Sequence, residues 1–154
     1  MNICGFLKED HIILDLKPGD KRSVLQEFVS ILKDKELISN EEIILEELLK
    51  REALGSTGLE KGIAIPHALI DKVREPFLAL ALIKDGIDFE AVDQMPTFVL
   101  LLLLGNKDEP GLQLKILAHI CRLVKETPVV EEIKKAESPK DVCQILEQEE
   151  GKME

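Results

Sequence analysis

The chain has no tryptophan, no tyrosine and only five phenylalanines. Single-stranded nucleic acid is held by aromatic platforms and basic grooves, and here 30 acidic residues outnumber 20 basic ones. A net charge of −10 opposes a phosphate backbone, so nucleic acid is not an expected partner. Cysteine is scarce as well. Cys4, Cys121 and Cys143 are odd in number, far apart and without a C-x-x-C pair, which points to neither a disulfide framework nor a zinc site and fits a reducing cytoplasm. Long apolar runs are missing: Phe98 to Leu104, among the longest, has seven residues against roughly 20 for a membrane span. Met1 to Asp10 carries acidic residues and no apolar stretch, so neither a signal peptide nor membrane insertion is expected.

What is present is the material of a globular protein. With 154 residues, 45% hydrophobic and 32% charged, the chain suits one domain over residues 1–154. A monomer of this size buries about 69% of the surface its unfolded chain exposes, enough for a core without covalent staples. Charge is uneven, because residues 126–154 hold nine acids and four bases, the pattern of a solvated helical face and tail.

Helix signals begin at Asp20, a capping residue ahead of apolar positions Val24, Leu25, Phe28, Ile31 and Leu32 at three-to-four spacing. Ser39 and Glu42 have the spacing of a capping box for a second helix, running to about Glu52 through Ile43, Ile44 and Leu48. Three glycines with Ser56 and Thr57 make Gly55 to Gly62 a loop. Ile63 to Ile65, Phe77 to Ile83 and Phe98 to Leu104 are short apolar runs bounded by Pro, Gly or Asp, the texture of strands covered on both faces. A weaker strand fits Ile12 to Leu16. Pro110 opens a helix to about Lys125, another can follow Pro128, and Ser138-Pro139-Lys140-Asp141 starts a last one to about Glu149. This order predicts an α/β sandwich with a mixed sheet.

Of three histidines, His67 has the distinctive setting. Ile63-Ala64-Ile65-Pro66-His67 places an imidazole after an apolar strand, where proline should end pairing and the ring should emerge at the strand's carboxyl end. The same local pattern also describes a surface histidine beside a turn. What points to anion chemistry is the upstream loop Gly55-Ser56-Thr57-Gly58, with Arg51 before it. On the helix after Pro110, Gln113 lies mid-stripe among Leu112, Ile116, Leu117 and Ile120, so its amide needs hydrogen-bond partners or costs about 1 to 3 kcal/mol. His119 falls at the edge of that stripe as a boundary residue, and His11 reads as a surface residue. No nucleophile elbow, phosphate-binding P-loop or metal-ligand spacing is present. Neither a metal nor a cofactor is expected.

Arg51-Glu52-Ala53-Leu54-Gly55-Ser56-Thr57-Gly58 followed by Gly62-Ile63-Ala64-Ile65-Pro66-His67-Ala68 resembles the signature of the type-2 enzyme IIA domain of the bacterial phosphoenolpyruvate-dependent phosphotransferase system, the fructose/mannitol class. The likeness extends to Ile87 through Pro96 and to Leu114-Lys115-Ile116-Leu117-Ala118, and covers roughly Ile3 to Leu146. It implies the type-2 enzyme IIA fold, a mixed sheet sandwiched by helices on both faces. It also implies that Nε2 of His67 accepts a phosphoryl group from the histidine-containing phosphocarrier protein, which a net acidic surface would meet through a basic patch. The group would pass to a cysteine or histidine of a IIB component, or set a switch read by a regulatory target. In that picture Arg51 supplies a fixed charge, and Ser56, Thr57 or their backbone amides donate hydrogen bonds to phosphate.

The departure is Gln113, which stands where the family usually has a second histidine. An amide can hydrogen-bond a phosphoryl oxygen or the ring of His67 but cannot become cationic. That change suits a switch better than a high-flux carrier. Together with the free-standing length and the Asp88 to Pro96 segment, it favours the nitrogen-regulatory branch over sugar transport. A different class of reading is an interaction module that keeps the fold and has lost efficient phosphotransfer.

Overall fold

The computed structural model describes residues 1–153; Glu154, counted above in the acidic tail, lies outside the described residues. The core is a five-stranded mixed sheet: β1 (Ile12–Ile13), β2 (Ile63–Ala64), β3 (His67–Ile70), β4 (Phe77–Ile87) and β5 (Thr97–Asn106). Antiparallel β4 and β5 form its centre, β1 runs parallel to β4, and β2 and β3 both run parallel to β5 on the other side. Alternation along the two central strands explains the unbroken apolar runs. Leu78, Leu80 and Leu82 share one face with Val99, Leu101 and Leu103, while Ala79, Ala81 and Ile83 share the other with Leu100, Leu102 and Leu104. With both faces covered, a solvent-facing polar residue has no place between Leu78 and Ile83 or between Val99 and Leu104, and Lys84 and Asp85 are exposed only where β4 runs past that cover.

Two helices, α1 (Lys21–Asp34) and α2 (Glu41–Ala53), cover the alanine-bearing face with Val24, Leu25, Phe28 and Leu32, then Ile44 and Leu48. The opposite face is covered by α3 (Pro110–Glu126), α4 (Val129–Ile133) and α5 (Pro139–Gly151), joined by Ile3 and Leu7 from the N-terminal turns. The sheet sandwiched by helices on both faces is therefore the observed architecture. Among the described residues no helix is long and apolar enough to cross a membrane.

Local chemistry sets most element ends. The Asp20 carboxylate accepts from the Ser23 amide at 2.8 Å, and the Ser138 hydroxyl accepts from Asp141 at 3.1 Å, so both expected caps form. The Ser39–Glu42 box does not form. Asn40 instead occupies the N-cap with φ 56°, a left-handed turn that asparagine tolerates, and its carbonyl accepts from Ile44 at 3.1 Å. His11 is buried rather than superficial: Nδ1 donates to the Leu78 carbonyl at 2.8 Å, and the ring packs on Phe77 at 4.8 Å between centroids. His119, placed by periodicity at the stripe's edge, pairs Nε2 with the Glu150 carboxylate at 2.7 Å, and Glu150 also accepts from the Ile3 amide.

The break around Pro66 differs from expectation. Ile63 faces Val99 and His67 faces Leu103, four residues on in both strands, so register is kept across the interruption. Pro66 contributes no N–H, yet its carbonyl still accepts from Leu103 at 3.0 Å. His67 consequently opens β3 inside a continuing edge strand instead of emerging beyond the end of one.

The facing of α2 can be checked directly, because neighbouring isoleucines sit in opposite environments: Ile44 is 3% exposed and Ile43 53%. Ile44→Ala should cost about 2 to 5 kcal/mol in urea unfolding, and Ile43→Ala should stay within about 0.5 kcal/mol.

Candidate functional site

His67 lines an open cleft of about 650 Å³ between the end of α2 and the start of α3. The end of α2 contributes Lys50, Arg51 and Leu54; Leu69 comes from β3, Lys107 follows β5, and Gln113 and Leu114 come from the first turns of α3. Strand alternation puts His67 and Leu69 on the face covered by α3, opposite Ala68 and Ile70. The ring is half-buried. Its Nδ1 lies 2.8 Å from the Ile65 carbonyl. A carbonyl can only accept, so in the neutral ring Nδ1 carries the hydrogen and Nε2 keeps its lone pair. Burial is the largest influence on the imidazole and holds its pKa below the ordinary 6.5. The hydrogen bond to Ile65 pulls it back up, the Arg51 charge lowers it, and the Glu52 charge raises it.

The charged residues of the cleft are mostly paired. Lys50 lies 3.3 Å from Glu46 and 3.4 Å from Glu47, and Lys107 lies 3.5 Å from Asp71, so Arg51 is the cation of the cleft without a carboxylate partner among the described residues. Its guanidinium is the charge available to an anionic group. Arg51 is partly committed, donating from Nη1 to the Gly55 carbonyl at 2.8 Å. On the rim, Leu54 is 85% exposed and Leu114 67% exposed. Two large apolar side chains so open to water beside a reactive ring give a partner protein something to cover.

Of the residues singled out by sequence, the cleft brings together His67, Arg51 and Gln113. It does not gather Ser56 and Thr57. The Ser56 hydroxyl donates to the Phe89 carbonyl at 2.6 Å and accepts from the Gly58 amide at 3.0 Å, while the buried Thr57 hydroxyl donates to the Glu52 carboxylate. Both hydroxyls hold the loop in place. Gly58 is needed here for a steric reason, since a Cβ on it would come within 2.9 Å of the Ala91 backbone.

Sequence reading passed over Glu52. Its side chain is 4% exposed, and its carboxylate takes the Thr57 hydroxyl, the Thr57 amide at 3.1 Å and the Lys21 ammonium at 2.9 Å. The signal was there: Ile44, Leu48 and Glu52 recur every fourth residue, which places the acid on the buried stripe of α2. Lys50 and Lys107 were also missed, with no motif to mark them, and Leu54 and Leu114 lie inside the quoted motifs without any sign that they are exposed.

A layered α/β protein that presents a half-buried histidine with a free ring nitrogen on an open cleft has a nucleophile within reach of a docked group. Residues 5–149 match the family described as "Phosphoenolpyruvate-dependent sugar phosphotransferase system, EIIA 2". The chain belongs to this family and is an EIIA-type phosphocarrier, a phosphotransferase component working through phosphohistidine. It is 32% identical over 147 residues to a nitrogen regulatory protein of Bradyrhizobium diazoefficiens, covering 95% of each chain. It is 28% identical over 148 residues to the fructose-specific EIIABC component of Bacillus subtilis, covering 96% of this chain but only 23% of that much longer protein. Among solved structures, the nitrogen regulatory protein IIA-Ntr from Neisseria meningitidis superposes with a TM-score of 0.84 at 29% identity, covering 94% of this chain and 98% of that one.

The Glu52 anchor generates a stability test. Glu52→Ala leaves the Lys21 ammonium, 14% exposed, with only the exposed Glu90 carboxylate at 3.8 Å and frees the Thr57 hydroxyl and amide. Urea unfolding should show a loss of about 3 to 5 kcal/mol, with amide exchange at residues 55–58 quickened beyond the global change.

Proposed function

We propose that this chain works as a single domain over residues 1–154 whose phosphoryl acceptor and donor is Nε2 of His67. The observation that carries this reading is the hydrogen bond between Nδ1 and the Ile65 carbonyl, which leaves Nε2 as the free lone pair of a ring lining an open cleft that Arg51 also lines. In the transfer, the Nε2 lone pair forms a P–N bond to the incoming phosphorus, the donor's P–N bond breaks, and its electron pair returns to the donor nitrogen. The Nδ1 proton stays where it is, shared with the Ile65 carbonyl. The ring therefore gains cationic character as it takes the group, which keeps the new bond ready to break toward the next acceptor. Phosphoryl transfer of this kind needs alignment and charge stabilisation more than proton movement, and Arg51 is the fixed charge at hand, Lys50 and Lys107 being engaged by carboxylates.

The phosphoryl donor is the histidine-containing phosphocarrier protein, docking over the Leu54 and Leu114 rim. The onward partner is either a IIB component or a regulatory target. The Bacillus subtilis relative is named for A, B and C parts in one chain, which supports a IIB acceptor, whereas full-length likeness to a nitrogen regulatory protein supports the regulatory target. We favour the regulatory reading, because Gln113 provides no titratable group beside His67 and a slowly discharged phosphoryl group suits a switch. The three free cysteines agree with a reducing, cytoplasmic setting. A module that keeps the fold and has lost phosphotransfer is the reading to set against it.

The test is phosphotransfer in vitro with the purified chain, phosphoenolpyruvate, enzyme I and the phosphocarrier protein. An acid-labile phosphoryl adduct should form on the wild type and vanish in His67→Ala with the fold intact; an unlabelled wild type would hand the lead to the binding module. The pH profile adds a second expectation. Protonation removes the Nε2 lone pair, and burial resists protonation, so acceptance should hold its rate through neutrality and fall with a midpoint below 6.5, the ordinary value for histidine.

A further inference from the structure

Gln113 is 5% exposed and only half satisfied. Its Nε2 donates to the Ala68 carbonyl at 3.2 Å, whereas Oε1 is buried with no hydrogen-bond partner among the described residues. Oε1 rests in a notch that exists because residue 105 is glycine: a Cβ there would come within 2.0 Å of Oε1 and 2.9 Å of Cδ. Turning the amide over offers no remedy, since Oε1 would then face the Ala68 carbonyl, acceptor against acceptor. An orphaned buried acceptor costs about 1 to 3 kcal/mol, so the side chain sits in the notch under a standing penalty.

We propose that Gln113 is a two-position residue that reports and stabilises the phosphorylated state of this site. With His67 free, the amide rests in the Gly105 notch, bonded to Ala68. With a phosphoryl group on Nε2 of His67, the amide leaves the notch, donates an N–H to a phosphoryl oxygen, and exposes its own oxygen to water in the open cleft. His67 and Gln113 line the same cleft, and Ala68, which holds the amide at rest, is the residue next to His67. Two terms favour the move: a hydrogen bond to an anionic oxygen is stronger than one to a neutral carbonyl, and the orphaned acceptor is relieved. Because the new hydrogen bond exists only in the phosphorylated state, it shifts the phosphoryl equilibrium toward this chain. This inference rests on His67 being the phosphoryl acceptor.

The experiment measures, on the whole chain, the equilibrium constant for phosphoryl exchange with the phosphocarrier protein and the side-chain amide resonances of Gln113 before and after phosphorylation. Gln113→Ala should lower the equilibrium constant at least about tenfold, the size of one charged hydrogen bond. Gly105→Ala closes the notch and should raise it, and the double variant should match Gln113→Ala. In the wild type the Gln113 amide protons should move downfield on phosphorylation. Should Gly105→Ala fail to fold, the wild-type resonances and Gln113→Ala decide the matter alone. A labelled wild type with unmoved Gln113 resonances and an unchanged equilibrium in Gln113→Ala overturns this inference and leaves the His67 assignment standing. A wild type that takes no phosphoryl group, or takes it elsewhere, overturns both.

Discussion

The hydrogen bond between Nδ1 of His67 and the carbonyl of Ile65 organises the chemistry of this protein. It spans two residues of one strand, with Pro66 between them. Because Pro66 lacks an N–H, the edge strand is interrupted there without losing register on β5, and the Ile65 carbonyl is available to a side chain. That one contact chooses the tautomer and leaves Nε2 with the lone pair. Burial of the ring works in the same direction by keeping it neutral, and the nearby Arg51 adds to that effect. In the proposed transfer the same contact would hold the ring proton, so no separate general base would be needed.

The second constraint is charge. On an acidic chain, the cleft's Lys50 is held by Glu46 and Glu47 and its Lys107 by Asp71, which leaves Arg51 as the cation without a carboxylate partner among the described residues. A single guanidinium beside the ring gives an incoming anionic group one spot on which to align. The exposed Leu54 and Leu114 then supply apolar area around that spot. Glu52 stabilises this arrangement from behind: one buried carboxylate fixes the loop through Thr57, neutralises Lys21 of α1, and so ties α1, α2 and the segment before β2 together.

Gln113 shows how a site can carry a local conflict. Its amide is bonded on one side and orphaned on the other, against a glycine that alone makes room for it. Buried polar groups elsewhere in the chain are mostly satisfied, as with His11 on Leu78 and Thr127 on Leu123. An unsatisfied one at the reacting residue's neighbour is where a second state costs least to reach.

Periodicity and turn chemistry were enough to place the helices, the strands other than β3, the caps at Asp20 and Ser138 and the sandwich itself, because each depends on residues within a few positions of one another. His67 was equally visible, marked by the glycine loop and the proline beside it. Local rules failed where two of them competed, as when Asn40 took the left-handed turn and displaced the Ser39 box. They were silent where the partner lies far along the chain: Leu78 for His11, Glu150 for His119, Phe89 for Ser56. The residue types and their spacing thus determined by themselves most of the elements and their buried faces, and singled out His67 as the candidate histidine. Which nitrogen is free, which cations surround it, and that Ser56 and Thr57 hold the loop instead of a phosphate were decided only by the packed structure, because hydrogen-bond partners and local charge depend on segments that folding alone brings together.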